Sequence, residues 1–104
     1  MTALWDAFVD AMLAFGPADE RRSRFADKPA LVVDGREIAH LEAPGVIDLR
    51  ITGAGWAKAK PRFATDPAVR REPSRRDWIE LHLGSPADLA RLVDLFAIAL
   101  AANR

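Results

Sequence analysis

VVDGREIAHLEAPGVIDLRIT, residues 32–52, decides how this chain folds. An Asp-Gly pair between two β-prone runs is a strong hairpin signal, because both central residues of the tight turn need positive φ. Asp34-Gly35 therefore predicts a turn from a short buried strand, "ALVV" (Ala30–Val33), into a second strand, "REIAHLE" (Arg36–Glu42). Pro44-Gly45 turns the chain again into "VIDLRIT", where Ile47, Leu49 and Ile51 face one way and Val46, Asp48 and Arg50 the other. The second strand reads two ways. Arg36, Ile38 and His40 share one parity; Glu37, Ala39 and Leu41 share the other. Placing Ala39 and Leu41 inward puts His40 on the polar face.

Before the hairpins, Leu4, Trp5, Phe8, Met12 and Phe15 recur at helical spacing after a Thr2 cap, and Gly16-Pro17 stops them. "ADERRSRFADKP" reads as a solvated connection. After the hairpins, "GAGWAKAK" predicts a short helix that Pro61 ends or kinks, and "AVRRE" a weak edge strand. "DWIELHL" alternates cleanly, with Ile79, Leu81 and Leu83 on one face and Trp78, Glu80 and His82 on the other. A terminal helix starts at Ser85, with Pro86 at its first position and Asp88 closing a capping box, and carries the stripe Leu89, Leu92, Val93, Phe96 and Leu100. This order, α-β-β-β-α-β-β-α, predicts one α+β domain over residues 1–104: an antiparallel sheet of about five strands with helices mainly on one face.

The 104 residues allow one modest core and no separate cofactor domain. Fifteen cationic and fifteen anionic side chains cancel, which argues against nucleic acid or an anionic membrane as the main partner. The absence of cysteine removes disulfides, thiolate metal sites and a thiol nucleophile. Asp6 and Asp10 interrupt the first apolar stretch, so no signal peptide is expected, and the uncharged run Leu95–Asn103 falls far short of the ~20 residues of a membrane span. A cytoplasmic location is the simplest expectation.

The polar sheet face is the candidate site. It gathers His40, Asp48, Arg50, Trp78, Glu80 and His82, with Glu37 beside them on the second strand. A histidine there can act as a base or anchor a ligand, or be an ordinary sheet residue bonded to Glu37 or a cross-strand neighbour. A two-histidine metal site with Glu80 or Asp48 is chemically reasonable. Yet histidines forty-two residues apart show no local ligand spacing, and no metal or cofactor is expected. "WAKAKPRF" interleaves aromatics with cations, but at zero net charge Trp56 and Phe63 are read as packing residues. "RREPSRR" (Arg70–Arg76) has the guanidinium forks to grip a carboxylate or phosphate, and is read instead as a solvated turn paired with Glu72 and Asp77. "LGSPAD" is a helix cap and not a nucleophile elbow, and no phosphate-binding glycine loop occurs.

"GREIAHLEAPGVIDLRIT", followed after a gap by "DWIELHL" and an apolar terminal helix, resembles the small domain family named after the fungal bioluminescence luciferase. The likeness runs from about Ser23 to the C-terminus, with "REIAH", Asp48-Leu49 and the Trp78 strand its most specific parts. Fungal members oxidise a hydroxylated pyrone luciferin and carry an N-terminal membrane segment not seen in this sequence. Many relatives have a second histidine two places after the first, where this chain has Glu42. The resemblance makes Glu37, His40 and Asp48 motif matches and implies oxidation of an enol or phenol-like substrate without a bound cofactor.

Two function classes follow. In the first, the polar face binds a small molecule: His40 acts as base with Asp48, Arg50 holds an anionic group, Trp78 stacks on a planar ring, and Glu37, Glu80 and His82 complete the lining. In the second, the chain is a non-catalytic interaction domain. The terminal helix is apolar on more than one side, through Leu95, Ile98 and Ala99, which points to deep burial or to a homodimer contact.

Overall fold

The computed structural model describes residues 3–23 and 27–104. The Thr2 cap expected from the sequence lies outside them. In chain order the elements are α1 (Ala3–Leu13), β1 (Asp19–Arg22), β2 (Pro29–Val33), β3 (Arg36–Ala43), β4 (Val46–Arg50), α2 (Thr52–Phe63), β5 (Val69–Arg70), β6 (Trp78–His82), α3 (Pro86–Arg91) and α4 (Val93–Ala102). The strands form one sheet in the order β1-β2-β3-β4-β6-β5, and every neighbouring pair is antiparallel. This is the expected α+β architecture with one strand more.

The extra strand, β1, lies within the run read as a connection. All four of its residues are exposed, so it has no apolar alternation to reveal it. It is held by its ladder to β2 and by Glu20, whose carboxylate accepts the indole N–H of Trp5 at 2.8 Å. Its charges also blunt the sheet edge against pairing with other chains. The terminal helix divides into α3 and α4 at Leu92, where φ is −97° and ψ 8°. Asp88 accepts backbone N–H bonds from Gly84 at 2.7 Å and Ser85 at 3.2 Å, as a capping residue should. Phe15, counted with the first helical stripe, lies beyond the end of α1 and is exposed.

The apolar faces of β4 and β6 bury Ile47, Leu49, Ile51, Ile79, Leu81 and Leu83 in one core cluster with side chains from all four helices. Phe8 of α1 meets Phe96 of α4 edge to face with ring centres 5.2 Å apart. Asp34 and Gly35 both take positive φ, 51° and 78°, as the tight hairpin requires. Gly45 at φ 75° sits so close to β6 that a Cβ there would stand 2.9 Å from the Leu83 carbonyl oxygen, so the second turn needs glycine twice over.

Two irregularities in β3 position the polar face. Leu31 pairs with Ala39 but Val32 pairs with Glu37, leaving Ile38 as an extra residue. This bulge turns both Ile38 and Ala39 into the core and brings Glu37 and His40 onto the opposite face, three residues apart. A second shift follows Leu41, which pairs with Ile47 while Ala43 pairs with Val46. The preferred parity, with Ala39 and Leu41 inward and His40 outward, is the observed one: Leu41 packs partly against the core.

Candidate functional site

The ladder registers align one row of residues across the polar face: Arg21, Ala30, His40, Asp48, Glu80 and Arg70. His40 stands near the middle on β3, directly opposite Asp48 on β4. Its Nε2 lies 3.0 Å from Asp48 Oδ2 and 3.1 Å from Glu42 Oε2. Its Nδ1 lies 3.1 Å from Glu37 Oε2, an ionic contact without the alignment of a hydrogen bond. Glu37 in turn accepts a hydrogen bond from the Ser23 hydroxyl at 3.0 Å. The Trp78 ring sits 5.7 Å from the imidazole and closes the cluster from β6. Arg75, from the loop before β6, donates to Asp48 Oδ2 at 3.2 Å and lies over the Trp78 ring.

One imidazole thus meets three carboxylates on a face where little water reaches it. The hydrogen bond to Asp48 raises the His40 pKa above its ordinary value of 6.5, against the lowering effect of burial, and Glu42 and Glu37 add to the rise. Burial alone would push the Asp48 carboxyl up; the donors His40 and Arg75 outweigh it and hold the group below 3.8. Both shifts favour the imidazolium–carboxylate form of the pair over the neutral one, and both ring nitrogens lie beside carboxylate oxygens.

Of the residues singled out from the sequence, Glu37, His40, Asp48 and Trp78 come together. Glu80 and His82 do not join them; they pair with each other, His82 Nε2 lying 2.5 Å from Glu80 Oε1. His82 sits opposite Val46, one row along and two strands across from His40, which by sheet spacings places it about 12 Å away. The two histidines thus do not share ligands. Arg50 is tied up elsewhere: it donates to Asn103 Oδ1 at 2.6 Å and reaches Asp77 at 3.5 Å, while Asn103 donates back to the Arg50 carbonyl. These bonds lock the end of α4 onto β4.

Three members of the site were not expected from the sequence. Glu42 entered the reading only as a departure from a motif, although its place two residues after His40 on one strand is the signal that would have found it. Ser23 falls in the run read as a connection. Arg75 belongs to the segment read as a turn paired with Glu72 and Asp77. Asp77 is instead occupied by Arg50 and by the Gly53 N–H, and Arg75 reaches Asp48.

Beside the closed cluster lies a cleft of about 210 Å³ lined by Arg70, Arg71, Glu72, Arg75, Trp78, Ile79 and Glu80. Arg71 stacks over Trp56 at 5.5 Å and donates to the Arg76 carbonyl, while its Nε is buried with no hydrogen-bond partner among the described residues. No helix of the described residues is long and apolar enough to cross a membrane. Comparison of the chain with protein-family models, curated proteins and solved structures found no match.

Proposed function

We propose that this chain is a small-molecule-binding domain whose ligand is a planar anion seated in the arginine-lined cleft. The observation that carries this reading is the lining itself: three arginines, Arg70, Arg71 and Arg75, outnumber Glu72 and Glu80 around one hollow of about 210 Å³ that Trp78 also lines. Guanidinium forks suit carboxylate or phosphate oxygens, and an indole face suits a ring. The His40–Asp48 pair lies beside this cleft, where it holds Arg75 through Asp48 and contacts Trp78 through the His40 ring. Direct proton abstraction by His40 is the weaker reading, since Asp48 and Glu42 occupy the space before Nε2 and Glu37 the space before Nδ1. The resemblance to the luciferase-named family agrees with a ring-bearing, enol or phenol-like ligand.

Titration with benzoate, 4-hydroxybenzoate and phenyl phosphate, followed by tryptophan fluorescence, tests the proposal. Binding should weaken about ten- to a hundredfold in Arg70→Ala, the cost of one lost charge-assisted contact. Binding unchanged in both Arg70→Ala and Arg71→Ala, or absent for all three probes, would refute it.

The interaction-domain reading has its own support. Leu13 and Phe15 are 43% and 40% exposed, and Phe15 borders a hollow with Ala97, Leu100 and Ala101 of α4. A homodimer through this patch predicts a doubled mass in light scattering that Phe15→Ser returns to the monomer value. A monomeric mass for the unaltered chain removes that reading.

A further inference from the structure

We propose that His40, Glu42 and Asp48 form a binding site for one divalent transition-metal ion. Nε2 of His40 and a carboxylate oxygen from each of Glu42 and Asp48 lie within 4.8 Å of one another, and the two nitrogen–oxygen separations are 3.0 and 3.1 Å. An octahedral ion with bonds of about 2.1 Å separates adjacent donors by about 3.0 Å, so the imidazole already stands at coordination spacing from each carboxylate, and the two carboxylates lie within 4.8 Å of each other.

Charge points the same way. Glu37, Glu42 and Asp48 bring three negative charges, and among the described residues the one guanidinium that touches them is Arg75. Lys28 donates to the Glu42 carbonyl oxygen at the exposed rim. With a neutral imidazole these groups sum to two negative charges, which a divalent ion cancels and a single proton only halves.

A separate observation concerns the second oxygen of Asp48. Asp48 has a side chain 4% exposed, and its Oδ2 takes both donors, from His40 and from Arg75. Oδ1 is buried with no hydrogen-bond partner among the described residues. A bare anionic oxygen in that position is costly unless a cation meets it. Behind the ring, Glu37 stands 3.1 Å from Nδ1 and is itself held by Ser23, so a carboxylate lies where an outer partner of a metal-bound imidazole would be needed. One nitrogen and two carboxylate donors favour zinc, manganese, cobalt or iron over calcium and magnesium, which prefer oxygen alone. Glu42, half-exposed, is the member free to adjust and the side from which an ion would enter.

The test is calorimetric titration of the full chain with Zn²⁺ after dialysis against chelator, with the visible spectrum of added Co²⁺ as a second readout. One ion per chain is expected, with affinity reduced at least tenfold in Glu42→Gln and unchanged in His82→Asn. Because Glu42 is half-exposed, Glu42→Gln should keep the metal-free melting temperature, so its loss of binding would not reflect unfolding. Three results would overturn the proposal: no binding below about 1 mM, equal binding by Glu42→Gln and the unaltered chain, or binding abolished by His82→Asn.

Discussion

His40 and His82 lie on the same sheet face, and each has an acidic residue two positions away on its own strand, yet they end in different environments. Among the described residues the His82 side chain, on β6 beside the two-residue strand β5, pairs with Glu80, and both side chains remain about one-third exposed. His40, on β3 with full-length neighbours on either side, is 15% exposed and meets three carboxylates, two at Nε2 and one at Nδ1. The difference is made by the sheet and not by the residue. An interior strand supplies a cross-strand partner, Asp48, and the bulge at Ile38 adds Glu37 from the same strand. A histidine becomes part of a buried ionic cluster where neighbouring strands deliver anions to it, and remains a surface residue where they do not.

The largest expected effect separates the two positions by mutation. His40→Ala leaves buried Asp48 with Arg75 alone and Glu37 with only the Ser23 hydroxyl, and should lower unfolding stability by up to about 3–5 kcal/mol, as loss of one partner from a buried pair does. Equal urea midpoints for His40→Ala and His82→Ala would break the comparison. The pH dependence is the next test, made on metal-free protein. His40 has a folded pKa above its unfolded 6.5, so its stabilisation is complete below pH 6.5 and fades as pH rises through the folded value. Asp48 has a folded pKa below its unfolded 3.8, so its stabilisation is present above that value and fades as pH falls through the folded one. The pair should therefore stabilise most between about pH 4 and 6.5. Urea midpoints across pH would show this window, and an NMR titration of the His40 ring with a midpoint at or below 6.5 would remove it. Arg75→Ala should cost less, about 1 kcal/mol, because that side chain is partly exposed and water screens its charge. The smallest effect belongs to His82→Ala, within about 0.5–1 kcal/mol, as for other exposed ion pairs.

The elements legible in the sequence are those whose burial is binary. Ile47, Leu49 and Ile51 alternate with Asp48 and Arg50, Ile79 and Leu81 with Glu80, and each alternation maps directly onto core and polar face. Period-two reasoning fails inside β3, because the bulge lets Ile38 and Ala39 face the core in succession. Counting parity inward from Ala39 turns Glu37 toward the core, whereas it faces outward beside His40. The strand Asp19–Arg22 leaves no apolar trace, because its stability comes from backbone pairing at an edge. At the site, the pairing of His40 with Asp48 follows from the hairpin register. The approach of Arg75 does not, since nothing local in "RREPSRR" specifies a partner twenty-seven residues earlier.

The two-residue turns of the meander also set an order of assembly. β3 and β4 are joined through Pro44 and Gly45 alone, so the pairing of His40 with Asp48 closes a short loop at little entropic cost. Arg75 and Trp78 reach the cluster only when β6 docks on β4 after a much longer excursion through α2. We expect the cluster to form in two steps, with high φ-values for mutations at the β3–β4 hairpin and low values at Arg75, the signature of local contacts made before distant ones. Chevron analysis of Leu41→Ala, a contact belonging to the hairpin, against Arg75→Ala would show it, and equal φ-values would mean that the sheet closes in a single event. In that order the imidazole and its carboxylate meet while one side of the hairpin still faces solvent, and the water around them leaves last.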